Sequence, residues 1–288
     1  MSLFQILIGV WILGFGVLKP LLYKKVAQNY APNFSSLFVS GWILVAIILS
    51  LPFMYEMLGD SFLLMKENPF SVIAAILKGG VVWGAVWASQ IINKRSTSSS
   101  VFFPFISLGV ASLILNVFFD ENLKLIHLCS IVLLGGLGAI YAIFGDAKRM
   151  SDAEKKIFFV AVLFVAGCSV MDHIGIKGIG WYPYFIISNV VMMLFVIKKG
   201  IDKTDFMNIF TKKEVVVAGI FTVCYEVLIL ASMIEIMPVS FVSFFMRLSA
   251  PMVMVFSAIR FKEQTIRNQL IFGCLAIIFA LPMMFIAK

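Results

Sequence analysis

Ten stretches of mostly apolar residues, each close to the length of a membrane-crossing helix, take up nearly the whole of this chain. They run over 2–18, 35–53, 70–93, 97–118, 124–144, 156–177, 181–197, 213–234, 238–259 and 266–286. A helix needs about 20 such residues to cross the hydrocarbon core, where its backbone groups find no partners except one another. Composition agrees, with 61% of the 288 residues hydrophobic and only 13% charged, roughly half the charged share of a soluble domain. The predicted fold class is an all-α integral membrane protein with ten transmembrane helices. The longest polar connections, 145–155 and 198–212, are too short for a soluble catalytic domain, so any chemistry belongs within the membrane or at its faces. The first run lacks a basic leader and a small-residue cleavage site, and reads as a retained helix.

The net charge of +8 does not point to nucleic acid, because the basic residues sit in short clusters between apolar runs, as topology signals do. Seventeen of the 23 lysines and arginines fall in the odd-numbered connections, from Lys19, Lys24 and Lys25 after the first span to Arg260, Lys262 and Arg267 after the ninth. The opposite side holds four, Lys66, Lys124, Lys177 and Lys288. Since basic loops stay cytoplasmic, this predicts a multi-pass protein of the cell's inner or plasma membrane with both termini outside the cytoplasm.

The chain also matches itself. A shift of 142 positions lays Glu121 on Glu263 and Ser107 on Ser249, with Gly109 opposite Pro251. A shift of 158 lays Lys19 on Lys177. These correspondences divide the chain into an N-terminal repeat, 1–145, and a C-terminal repeat, 156–288. Five helices per repeat is an odd number, so the repeats are inverted relative to each other, an arrangement that places a substrate site near the midplane between them.

Ten helices in two five-helix repeats, Pro251 followed 12 residues later by Glu263, Gly273 in the last helix, and Trp11 eight residues before Lys19 resemble the drug/metabolite transporter superfamily, in particular its EamA-type branch. The resemblance implies a secondary transporter whose central cavity is lined mainly by helices one, three, four, six, eight and nine, with five and ten towards the periphery. It also implies cytoplasmic termini, against the charge count. Family substrates range from amino acids to phosphorylated metabolites, nucleotide sugars, choline and drugs, so the fold does not name the cargo.

Charges at membrane depth are costly and face a cavity or a partner. Four spans contain them: Lys78 in the third, Asp172 with His173 in the sixth, Glu226 in the eighth and Arg247 in the ninth. Arg247 shares a helix face with Ser240, Ser243 and Pro251, a stripe able to hold a carboxylate or phosphate by forked hydrogen bonds; the competing reading is an ion pair with Glu226. Glu226 can take a substrate amine or a proton. Lys78 either faces the cavity or extends its stem to the headgroups. Asp172 and His173 suit proton coupling or a wetted interface. Trp83 and Trp87 stand beside a Gly80, Gly84, Ala88 stripe that lets another helix approach, and they either wall an aromatic cage for a quaternary amine or face lipid. Glu121 and Glu263, at helix junctions, read as caps or locks on the hairpin loops.

The four cysteines stand singly, with only His127 and His173 as co-ligands, so neither a metal site nor a disulfide framework is expected. No P-loop, G-x-S-x-G, H-E-x-x-H or D-D-x-x-D occurs, which argues against a nucleotide-driven pump or an enzyme. The expected function is secondary transport of a small polar metabolite by alternating access, without a cofactor. Coupling is to protons, through Glu226 or Asp172, or to a counter-substrate. An amino acid or similar zwitterion comes first, and a phosphorylated or nucleotide-linked metabolite second. A membrane enzyme or lipid flippase acting on headgroups is the reading from another class. The expected partners are a small-molecule substrate and the bilayer, for a monomer or homodimer.

Overall fold

The computed structural model describes residues 3–59, 61–119, 124–145, 148, 150–198, 203–232, 239–263 and 265–284. Among them every regular element is a helix. In chain order these are α1 (Leu3–Asn29), α2 (Pro32–Met54), a single 3-10 turn (Tyr55–Leu58), the short α3 (Ser61–Glu67), α4 (Pro69–Arg95), α5 (Thr97–Phe119) and α6 (Leu125–Phe144). There follow α7 (Asp152–Ile179), α8 (Trp181–Lys198), the short α9 (Lys203–Thr211), α10 (Lys213–Ser232), α11 (Val239–Phe261) and α12 (Ile266–Met284). Seven of these, α1, α2 and α4 to α8, are long and apolar enough to cross a membrane by length and composition.

Local sequence accounts for where several helices begin. Pro32 and Pro69 open α2 and α4, where a fixed φ and a missing N–H suit the first turn. α7 starts on a reciprocal cap: Ser151 Oγ accepts from the Glu154 amide, while Glu154 accepts from the Ser151 amide at 2.8 Å. The other oxygen of Glu154 receives Arg95 Nε at 2.7 Å, tying the end of α4 to the start of α7. The first helix is longer than the sequence predicts. It continues past 18 to Asn29 and takes in Lys19, Pro20 and Lys24. A proline inside a helix deletes one backbone hydrogen bond, and close neighbours keep the rest of the ladder in place. The stretches 54–69 and 198–212, read from sequence as connections, hold α3 and α9.

Helices of the two predicted halves pack against one another. α4 lies along α7 and α8, α1 along α10 and α11, α2 against α10 and α8, and α5 between α7 and α6, while α12 packs on α11 and α6. Close approach rests on glycines. A Cβ on Gly79 would stand 2.8 Å from the Ser188 carbonyl oxygen and 2.6 Å from Val191 Cβ, and one on Gly175 would meet the Tyr184 ring at 1.9 Å. Small residues let membrane helices touch backbone to backbone in this way. Elsewhere aromatic stacking joins three helices, as Phe102 of α5 stacks on Tyr141 of α6 at 4.1 Å between centroids, with Phe272 of α12 edge-on to Tyr141 at 5.1 Å. Outward, Phe118, Val132, Leu163, Leu194 and Ile278 are exposed, far more apolar surface than a water-facing protein presents.

Candidate functional site

Where α1, α4, α5, α7, α10 and α11 converge they enclose a cavity of about 400 Å³, within the range of about 300–1,000 Å³ found for small-molecule sites. α1 contributes Gly16, Lys19, Pro20 and Tyr23, and α4 contributes Ser89 and Asn93. α5 supplies Ser100, Pro104 and Ser107, α7 Ser169, α10 Tyr225 and α11 Ser249. The helices are those that the sequence resemblance assigns to the cavity. Gly16 keeps the wall thin, since a Cβ there would sit 3.1 Å from Ser249 Oγ and 3.3 Å from the Tyr225 ring.

Among the described residues, Lys19 is the cation that lines this cavity. Its Nζ donates to Glu226 Oε1 at 2.5 Å, lies 4.6 Å from the centre of the Tyr225 ring and 5.7 Å from that of Tyr23. Tyr23 is itself fixed by a 2.8 Å hydrogen bond between its hydroxyl and that of Thr222. The ammonium thus has a carboxylate partner and two electron-rich ring faces, the means by which a charge is held at membrane depth. Four of the lining serines, Ser100, Ser107, Ser169 and Ser249, donate their protons to carbonyls of their own helices. Their oxygens remain as acceptors. Among the described residues the wall therefore offers hydroxyl acceptors around the Lys19 ammonium, whose carboxylate partner Glu226 is not itself one of the lining residues.

A second ion pair closes the bundle beside the cavity. Lys24, about one turn beyond Lys19, donates to Glu263 Oε1 and, at 3.2 Å, to the Arg95 carbonyl. Glu263 also accepts from the Thr97 amide at 2.9 Å, the Ser98 amide at 3.1 Å and Ser98 Oγ at 3.0 Å. Its carboxylate caps the first turn of α5, whose amides lack helical partners. Burial alone would raise the Glu263 carboxyl, but the charge and hydrogen bond of Lys24 and the amides of Thr97 and Ser98 outweigh it and hold the group below the ordinary carboxylate range. Glu263 thus locks a junction, as expected from its position; Glu121 lies outside the described residues.

The residues singled out in the sequence separate into groups. Glu226 pairs with Lys19. Lys78 and Asp172 pair with each other between α4 and α7, with Lys78 Nζ 4.8 Å from the Tyr184 ring centre, so Lys78 uses its charge inside the bundle. His173 Nε2 meets Lys177 Nζ at 3.0 Å, one turn along α7. Trp83 stacks on Phe195 of α8 at 6.4 Å, and Trp87 packs on the cluster around Phe102 and Phe158. Gly80 and Gly84 face Phe195 and Phe164, so that stripe receives α8 and α7. Arg247 and Ser243 belong to α11, with side chains outside the described residues. Among the described residues, the cavity wall is made of others: Lys19, Tyr23, Asn93, Tyr225 and the serines. Their signal in the sequence was the presence of hydroxyls and an amide within spans otherwise apolar.

No protein family, curated protein or solved structure matches the chain.

Proposed function

We propose that the chain is a secondary transporter with ten membrane spans, carrying a small polar metabolite through the central cavity by alternating access. α10, α11 and α12, at 20, 23 and 19 residues, complete the ten beside the seven longer or more apolar helices. The packing pattern supports two inverted repeats of the kind found in the drug/metabolite transporter superfamily. If α1, α2, α4, α5 and α6 are exchanged with α7, α8, α10, α11 and α12, then the α4 contacts with α7 and α8 become the α10 contacts with α1 and α2, and α5 with α7 becomes α11 with α1. The same exchange turns the helix pair joined by Lys78 and Asp172 into the pair joined by Glu226 and Lys19.

The Lys19–Glu226 pair, whose lysine lines the cavity, is the observation that carries the reading. A ligand with one carboxylate and one ammonium group can replace each partner for the other: its carboxylate on Lys19, its ammonium on Glu226 and the serine oxygens. An amino acid or similar zwitterion fits this exchange without leaving a buried charge unpaired, the costly outcome. Glu226 is also the group through which a proton would couple, since protonating it releases Lys19.

Uptake of radiolabelled amino acids into proteoliposomes tests this, preceded by a thermal-shift screen, because a ligand that binds only the folded state raises its stability. The expected result is a hit among the zwitterions, with uptake abolished in Lys19→Met and its pH dependence abolished in Glu226→Gln. A ligand that stabilises Lys19→Met as well as the wild type would remove the cavity assignment.

A further inference from the structure

A second hollow, of about 320 Å³, lies on the face of the bundle where α1 and α4 end and α11 turns towards α12. Lys24, Lys94, Arg95 and Lys262 line it together with Glu263. Four cations thus surround one carboxylate, and that carboxylate is already engaged by Lys24, two amides and a serine hydroxyl. Arg95 directs Nε to Glu154, and no hydrogen bond from its two terminal nitrogens is found among the described residues. Lys94 and Lys262 are exposed. Lys262 also has a φ of 53°, a left-handed conformation that glycine or asparagine adopts at lower cost and that tends to persist where a site requires it.

Basic residues are common on this side of the chain, but elsewhere, as at Lys198 and Lys213, they are exposed on helix ends and do not line this hollow. Here they converge on a concave site whose deepest member, Lys24, is 3% exposed. A guanidinium and three ammonium groups around such a space, one of them paired with Glu263, match the charge and the several acceptor oxygens of a phosphate group. We propose that this hollow binds a phosphate group, carried either by an anionic lipid headgroup or by a soluble phosphorylated compound. The assignment does not depend on the transport reading, because binding here is measured without transport.

The test uses the purified full-length protein. Inorganic phosphate and glycerol phosphate are titrated calorimetrically in detergent, and retention of phosphatidic acid against phosphatidylcholine is measured by native mass spectrometry. The variant is Lys94→Gln with Lys262→Asn, both at exposed positions, asparagine being tolerant of the positive φ. The control is Lys198→Gln with Lys213→Gln. Saturable binding of at least one phosphate probe, weakened about tenfold or more by the first variant and unchanged by the control, upholds the site. Binding of phosphatidic acid alone identifies a headgroup as the source, and binding of the soluble probes alone a free ligand. No saturable binding of any phosphate probe, or equal losses in variant and control, overturns it.

Discussion

Glu263 accepts a hydrogen bond from Lys24 across 239 positions of chain, and both side chains are almost wholly buried, at 5% and 3% exposure. The pair joins the end of α1 to the turn after α11, while the Thr97 and Ser98 amides bring the start of α5 to the same carboxylate. Removing one member leaves the other charged and unpaired, which costs about 3–5 kcal/mol. Lys24→Met alone is therefore expected to lower the unfolding midpoint sharply, and adding Glu263→Gln is expected to recover part of the loss. A double-mutant cycle of thermal unfolding in detergent gives the coupling; additive effects would show that the two charges act separately.

The same carboxylate sets an acid limit. Its folded-state value is held below its ordinary 4.5, so its stabilisation is fully present above the unfolded value and is lost as pH falls through the folded one. The wild-type midpoint is expected to stay level as far as this group is concerned from about pH 7 to about pH 5, then to drop below about pH 4.5. Glu263→Gln should start lower and drop less over that interval. Parallel curves for the two proteins would mean that another group governs the acid transition.

Glycine substitutions separate contact from propensity. A methyl group on Gly79 meets the Ser188 carbonyl and the β-branched Val191, neither of which can swing aside, so Gly79→Ala should destabilise by about 1–3 kcal/mol through overpacking of α4 on α8. Gly135 of α6 has nothing within 4 Å of such a methyl. Gly135→Ala should be neutral or stabilise by up to about 1 kcal/mol, since alanine is the better helix former. Denaturation midpoints of the two variants, compared directly, check the interface.

Lys78 and Asp172 offer the comparison with the cavity pair. They bridge α4 and α7 and are not among the residues lining the cavity. Lys78→Met and Asp172→Asn are each expected to destabilise, with the double variant closer to wild type than the sum and a coupling of about 0.5–3 kcal/mol. The KM for a cargo identified in the uptake assay should be unchanged in the double variant. A raised KM with intact stability would place this pair on the substrate's route.

Membrane character and the main helices were legible because apolar length is a one-dimensional property. Intramembrane charge likewise picked out Lys78, Asp172 and Glu226, each of which the structure pairs across helices. Partner choice was not legible. Glu226 invited pairing with Arg247, on the next helix in sequence, whose side chain lies outside the described residues; among the described residues it pairs with Lys19, 207 positions away. Lys19 itself was read as a loop residue because the apolar run of the first span stops before Lys19-Pro20, the combination that ordinarily closes a helix. The cavity serines were hidden for another reason: a hydroxyl bonded to its own helix carbonyl sits in an apolar span at low cost, so a single serine does not announce which way it faces.

Pro20 lies between Lys19 and Lys24 in α1, and its ring deletes the backbone hydrogen bond to the Gly16 carbonyl. A straight rod crossing the bundle would have to release both of its lysine anchors together when it tilts. With one rung missing between them, the turn that holds Lys19 against Glu226 and the turn that holds Lys24 against Glu263 are coupled less stiffly than in a helix with every rung in place. The two lysine anchors of this helix are therefore joined through a backbone ladder that lacks one rung, a softer connection than an unbroken helix of the same length would give.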